Sequence, residues 1–311
     1  MDAVLSGARE RSEATLNTLR SIASEVLGGD SDLIVGVNGS VARREETAGS
    51  DVDLFVLTLS GDTEAAKKAQ SEYRNRLAAQ GIKMAAPGGV FDEPLPTTQL
   101  TAMIGGEDDT NTYITRRMLY LLEGEWVANK DSFDRLRLEL VERYVPKDLD
   151  EHKIVRFFIN DVVRYWRTIC VDFEYKTADE TKPRAIRLVK LRLSRMLIYV
   201  AGIAAAGQTV GQDAATKRKR LAELLALPPL ARLGEIYGLD KMAAVQARYA
   251  TFLSALDCED IRSKLELPGA EGLSTQEFSE LAEVARDFKA ELLALLDIKT
   301  GGDPLMEALL L

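Results

Sequence analysis

Asp51 and Asp53 are the residues of this chain best suited to chemistry. They stand two apart at the head of the apolar run Leu54-Phe55-Val56-Leu57, and on a β-strand that spacing puts both carboxylates on one face, about 6–7 Å apart. Two acids on one face repel each other, so one holds a proton unless a cation lies between them. A divalent ion is the simplest resolution. Oxygen-only ligands suit Mg2+ or Mn2+, whose remaining positions go to water and substrate phosphates. Gly39-Ser40 closes an earlier apolar run, Val35-Gly36-Val37. There the glycine lets the backbone approach a bulky anion, the serine offers a hydroxyl, and a helix starting at Val41 offers free N–H groups to phosphate. The chemistry is that of a metal-nucleotide site.

Strand, turn, short helix and second strand must position these groups. Residues 32–37 read as the first strand and 50–58 as the second, the latter apolar on both faces beyond its aspartates, as in a central covered strand. Around them, residues 1–28 and 63–79 read as helices, stopped by Gly28-Gly29 and Gly81. Ile82–Ala86 reads as a third strand, followed by helices at 112–123 and 132–144. The polar segment from Pro146 to Glu151 is the expected domain boundary, giving a first domain at 1–148 and a second at 149–311. After it the pattern is wholly helical: 153–175, 183–206, 213–227, 230–237, 241–256 and 275–296.

Gly39-Ser40, Arg43, Glu45, Thr47 and Ser50-Asp51-Val52-Asp53 resemble the signature of the DNA polymerase β-like nucleotidyltransferase superfamily. They are most similar to the branch containing the uridylyltransferases of bacterial nitrogen control and their uncharacterised relatives. The resemblance implies an α/β (α+β) fold: a small mixed sheet holding Mg2+ and an NTP, then an α-helical domain closing the cleft. It implies transfer of an NMP to an acceptor hydroxyl with release of pyrophosphate. Asp51 and Asp53 are then the metal ligands and catalytic acids, and Gly39, Ser40 and Arg43 touch phosphate or brace the loop. The superfamily carries a third carboxylate on its third strand, but none of residues 82–86 is acidic. Asp92 and Glu93, beyond Pro87-Gly88-Gly89, are the nearest candidates.

The second half supplies cations. Arg164 lies on a polar stripe of an otherwise apolar helix with Asn160 and Arg167, and is either a phosphate ligand or part of an ion-pair network with Asp161, Asp172 or Glu174. Arg187 and Lys190, on the next helix, face the same cleft in an antiparallel pair. Related enzymes clamp the triphosphate with such a cation. Arg116 and Arg117 are either solvated or reach the phosphates.

The net charge of −9 hides an asymmetry: residues 182–220 hold ten Lys and Arg against the single acid Asp213, so the rest of the chain carries −18. An acidic body argues against general nucleic-acid binding, and the basic segment argues for one anionic ligand. Lys217-Arg218-Lys219-Arg220 reads as a solvated face, with RNA contact as its alternative. Cys170 and Cys258 read as small buried hydrophobes of a reducing compartment. The single histidine, His152, excludes histidine-rich metal sites and the phosphohydrolase module of the nitrogen-control enzymes. No uncharged apolar run reaches membrane-spanning length, so the expectation is a cytoplasmic protein. The acceptor stays open among protein, tRNA or other RNA, and small molecule. A nucleotide-binding sensor with weak turnover and an RNA-binding module are the rival readings. The apolar tail from Leu305 is expected to dock on the body or on a second copy in a homodimer.

Overall fold

The Asp2 carboxylate accepts a hydrogen bond from the Val4 N–H at 2.8 Å and caps helix α1 (Ala3–Leu27), which ends where Gly28 turns left-handed at φ +57°. Leu5, Ala8, Leu16, Leu19 and Ile22 are buried along one stripe of α1. The computed structural model describes residues 2–29, 32–102, 104–297, 305 and 309.

After α1 come β1 (Leu33–Asn38), the short helix α2 (Gly39–Arg43), β2 (Asp53–Thr58), α3 (Thr63–Ala79), β3 (Leu95–Pro96), α4 (Thr98–Thr101), α5 (Asn111–Leu122) and β4 (Glu125–Ala128). Among the described residues the strands form one mixed sheet in the order β3-β2-β1-β4, with only β3 running parallel to its neighbour. The chain is thus α+β with a small mixed sheet, as the sequence led us to expect. β1 and β2 pair from Leu33↔Thr58 to Asn38↔Asp53. Leu33, Val35, Leu54 and Val56 pack toward α1 and α3, whereas Ile34, Phe55 and Leu57 pack toward the later helices. By the strand's period of two, Asn38 and Asp53 share the face of Phe55. Gly36 has to be glycine, because a Cβ there would lie 2.3 Å from the Phe55 ring.

The remaining elements are α6 (Lys130–Tyr144), α7 (Arg156–Thr177), α8 (Arg184–Lys190), a π-helical turn (Leu191–Arg195), α9 (Met196–Gly207), α10 (Ala214–Leu225), α11 (Pro229–Tyr237), α12 (Ala243–Asp257), α13 (Glu259–Leu265), a 3-10 turn (Glu271–Ser274) and α14 (Gln276–Asp297). Packing is continuous across the segment 146–151. Val145 and Val155 belong to the same core as Ile34, Phe55 and Ile198. Helix α1 serves both halves: Leu5 and Ala8 pack with Tyr249 and Phe288, whereas Leu16 and Leu19 pack under the sheet. Leu305 is buried in the first of these cores; most of the tail beyond it lies outside the described residues. No described helix is long and apolar enough to cross a membrane.

The third strand expected at 82–86 is reduced to one bridge, Val52↔Met84, held by Val52 N–H to Lys83 O at 2.8 Å and Ala85 N–H to Val52 O at 2.9 Å. Pro87-Gly88-Gly89 then turns the chain away, and Leu95–Pro96 takes the edge position beside β2. Strand β4 and helix α13, which the sequence reading missed, are too short to show a periodicity of their own.

Candidate functional site

Gly39 leaves β1 at φ +78°, a conformation that only glycine adopts without strain, and so turns the chain across the end of the sheet beside Asp53. The loop that follows is tied to itself. The Ser50 hydroxyl accepts from Ser40 Oγ and from the Thr47 N–H, both at 3.0 Å. It is also tied to the helical half, where Asp257 accepts from the Ala48 N–H at 2.7 Å and pairs with Arg11 at 3.3 Å. Arg262 from α13 lies over Gly49, its guanidinium 1.4 Å from where a Cβ would stand, so a larger residue there would push that side chain aside.

Loop, strand end and helical wall enclose a cleft of about 200 Å3 lined by Gly39, Ser40, Arg43, Asp51, Asp53 and Lys190, and also by Lys83, Ser194, Arg195 and Arg262. The π-helical turn explains how Lys190, Ser194 and Arg195 all reach it. A turn widened beyond the α-helical 3.6 residues brings positions four and five residues apart onto one face.

Beneath the cleft lies a buried ion-pair network centred on Glu123, just past the end of α5. The Glu123 carboxylate pairs with Arg43 and, at 3.3 Å, with Arg195, and accepts from the Gly39 N–H at 3.4 Å. Arg43 also pairs with Glu45 at 2.7 Å. Burial alone would raise the Glu123 carboxyl, but the charges of Arg43 and Arg195 outweigh it and hold the group below its ordinary range. Asp53 is the opposite case. Burial, then the repulsion of Glu123, and further on that of Asp51, outweigh the attraction of Arg195 and Arg43 and raise its carboxyl. The Lys190 ammonium falls to about 8 through desolvation by the surrounding wall, then through Arg262, with Asp51 pulling the other way. Its side chain still opens to solvent at the mouth.

Six of the expected residues therefore converge on one cleft: Gly39, Ser40, Arg43, Asp51, Asp53 and Lys190. Four do not. Asp92 accepts from the Gly88 N–H at 3.0 Å and faces Arg74 at 3.6 Å, and Glu93 faces Lys67 of α3 at 3.4 Å. The segment carrying them has left the sheet, so neither lines the cleft. Arg164 is bound to Asp109 at 2.9 Å, the ion-pair alternative but with another acid than those expected. Arg187 sits a turn before Lys190 on α8 and does not line the cleft. The helix expected to receive phosphate is only α2, a single turn whose Gly39 N–H is directed at Glu123.

Other readings change as well. Arg117 is fully buried against Asp109 and Asp161, and Arg116 donates to Val90 O at 2.6 Å. Lys217 is buried rather than solvated, its ammonium donating to the carbonyls of Glu151, Lys153 and Thr209 at 2.7–2.8 Å. Arg218 donates to Val145 O, and Arg220 pairs with Glu235. Cys258 is exposed and Cys170 half-buried, neither in the core. Sequence reasoning missed Glu123, Arg195, Arg262 and Lys83. Arg195 was legible as a cation but not in phase, because the turn that aims it is not α-helical. The others carry no local signal. No protein-family model matches this chain, and no curated protein matches it either.

Proposed function

We propose that the protein is a nucleotidyltransferase that transfers an NMP from an NTP to an acceptor hydroxyl and releases pyrophosphate. One observation carries the reading: Asp51 and Asp53 both line a cleft whose other charged lining residues are mainly cations, Arg43, Lys83, Lys190, Arg195 and Arg262, with Glu45 paired to Arg43. Arg262 pairs with Glu266 at 2.8 Å, but Lys83 and Lys190 have no acid partner among the described residues and suit a polyphosphate, while Asp51 and Asp53, without an ion-pair partner there, suit a divalent ion. Among the described residues, no group of three or more His, Cys, Asp or Glu is arranged to hold a metal. Two carboxylates nevertheless fit Mg2+ or Mn2+ when phosphate oxygens and water complete the shell, and the raised Asp53 carboxyl is what a neighbouring cation would relieve. Asp51 and Asp53 would hold the ion, which when bound neutralises charge developing on the transferred phosphoryl group.

The chain's own residues account for the rest. Lys83, Lys190, Arg195 and Arg262 bind the triphosphate, and the Gly39-Ser40 turn brings backbone and hydroxyl against it. At about 200 Å3 the cleft takes the triphosphate end, leaving sugar and base at the mouth. The Glu123 network fixes Arg43 and Arg195, so those two cations need no reorganisation when the acceptor hydroxyl loses its proton to water, its oxygen bonds to the α-phosphorus, and the bond to the β-phosphate oxygen breaks to release pyrophosphate.

A second reading, a nucleotide-binding protein with weak turnover, is favoured by the engagement of Glu123. It is the remaining acid beside Asp53, and two arginines hold it. Incubation with each α-labelled NTP and Mg2+ in cell extract, beside Asp53→Asn, separates the two. Label on a protein, an RNA or a small molecule with the unmutated chain alone supports the enzyme and reveals its acceptor class. Nucleotide binding without transfer supports the second reading, and no binding sinks both.

A further inference from the structure

Behind the cleft, on the other side of the Arg43–Glu45 pair, opens a larger cavity of about 640 Å3, within the usual range for small-molecule sites. Its walls are mostly apolar, with Leu5, Leu227, Pro228, Leu230 and Leu239 among them, and Leu239 is 68% exposed. Its acids are all paired by the protein's own cations. Glu13 meets Arg44 at 2.7 Å, Glu125 meets Arg44 at 2.8 Å and Arg20 at 3.0 Å, Glu45 meets Arg43 at 2.7 Å, and Glu235 meets Arg220 at 3.3 Å. Arg9 is different. It lies one turn from Leu5 on α1, lines the cavity, and has no hydrogen-bond or ion-pair partner among the described residues. The Gln246 side chain, also on the wall, has no partner among the described residues either. An apolar cavity with one surplus cation at its rim is complementary to an apolar body carrying one acidic head.

We infer that this cavity binds an amphiphilic carboxylate, its chain against Leu227, Pro228 and Leu230 and its head on Arg9, and that occupancy is felt in the nucleotide cleft. The coupling follows from the partition: Arg43, Glu45 and Leu253 line both spaces. A ligand pressing on Glu45 shifts the network that holds Arg43 and Arg195. This second half rests on the nucleotide reading; the binding half does not.

The probe is decanoate, titrated by calorimetry below its micellar concentration against the whole chain, with decanol and decylamine beside it. Saturable binding of decanoate, weakened about fivefold by Arg9→Glu and blocked by Ala231→Trp, is the expected result. Ala231 lies on the cavity wall and is exposed, so the tryptophan fills space without entering the core. No binding, equal binding by Ala231→Trp, or preference for decylamine overturns the proposal. In the second arm, ATP affinity is measured with and without saturating decanoate, and a change of about fivefold is expected. An unchanged ATP affinity overturns the coupling. Loss of ATP binding altogether, with decanoate binding intact, instead overturns the nucleotide reading.

Discussion

Arg117, within α5, and Glu123, just past its end, each anchor a buried ion-pair network, and the two differ in what they leave over. Arg117 donates to both Asp109 oxygens at 3.1 and 2.9 Å, to Asp161 at 2.8 Å and to the Tyr144 hydroxyl at 2.7 Å; Tyr144 in turn donates to Asp161 at 2.6 Å. That network is closed. Around Glu123 the arginines are engaged, but Asp53 and Asp51 are left on the cleft, and burial first, then the repulsion of Glu123, raises the Asp53 carboxyl. A closed network fixes how helices meet, whereas an open one stores an unfavourable charge that a ligand or ion relieves. Reading function from buried charge therefore depends on what is left unpaired.

The largest separation of the two networks should come from Asp53→Asn. It is expected to reduce transfer by about 100-fold or more while thermal unfolding stays level or rises, because a desolvated charge is removed. Full activity in this variant would end the metal-nucleotide reading. Arg117→Met should do the reverse, lowering stability by about 3–5 kcal/mol in urea unfolding, because buried Asp161 is left with the Tyr144 hydroxyl and no cation and Asp109 with Arg164 alone. A loss under about 1 kcal/mol would mean that water enters the network.

pH sharpens the contrast through its sign. Burial raises Asp109, but hydrogen bonds from Arg117 and Gly105 with the charges of Arg117 and Arg164 prevail, and its carboxyl is lowered. Its stabilisation is complete above the ordinary aspartate range and is lost as pH falls through the lowered native value. Asp53 is raised, so its folded form binds the proton more tightly. Its contribution is greatest below the ordinary range and is lost as pH rises through the raised native value. Difference curves of stability against pH for Asp109→Asn and Asp53→Asn should slope in opposite directions, and parallel curves would contradict the assignment.

The smallest effects lie in the basic run. Lys217→Met should cost about 1–3 kcal/mol by leaving three carbonyls without their donor, while Lys219→Ala should stay within about 0.5 kcal/mol. Equal effects would return Lys217 to the surface.

Sequence alone determined the frame. The helix at α1, the turn at Gly39-Ser40, the two central strands, α3 and the helical second half follow from local periodicity, and the face on which Asp53 opens β2 follows from strand geometry, whereas Asp51 lies just before that strand. Lys190 was also legible, as a cation on a helix near that face. Only the tertiary structure decided which charges meet the aspartates. The early turn at Pro87-Gly88-Gly89 took Asp92 and Glu93 out of the sheet, and Asp109 took Arg164. Arg195, Arg262 and Lys83 reached the cleft, and Glu123 the network beneath it, from segments far apart in the chain. Local pattern fixes a side chain's direction within its own element. Whether two such directions converge depends on helix phase and on packing between elements, and a π-helical turn of five residues was enough to change the answer for Arg195.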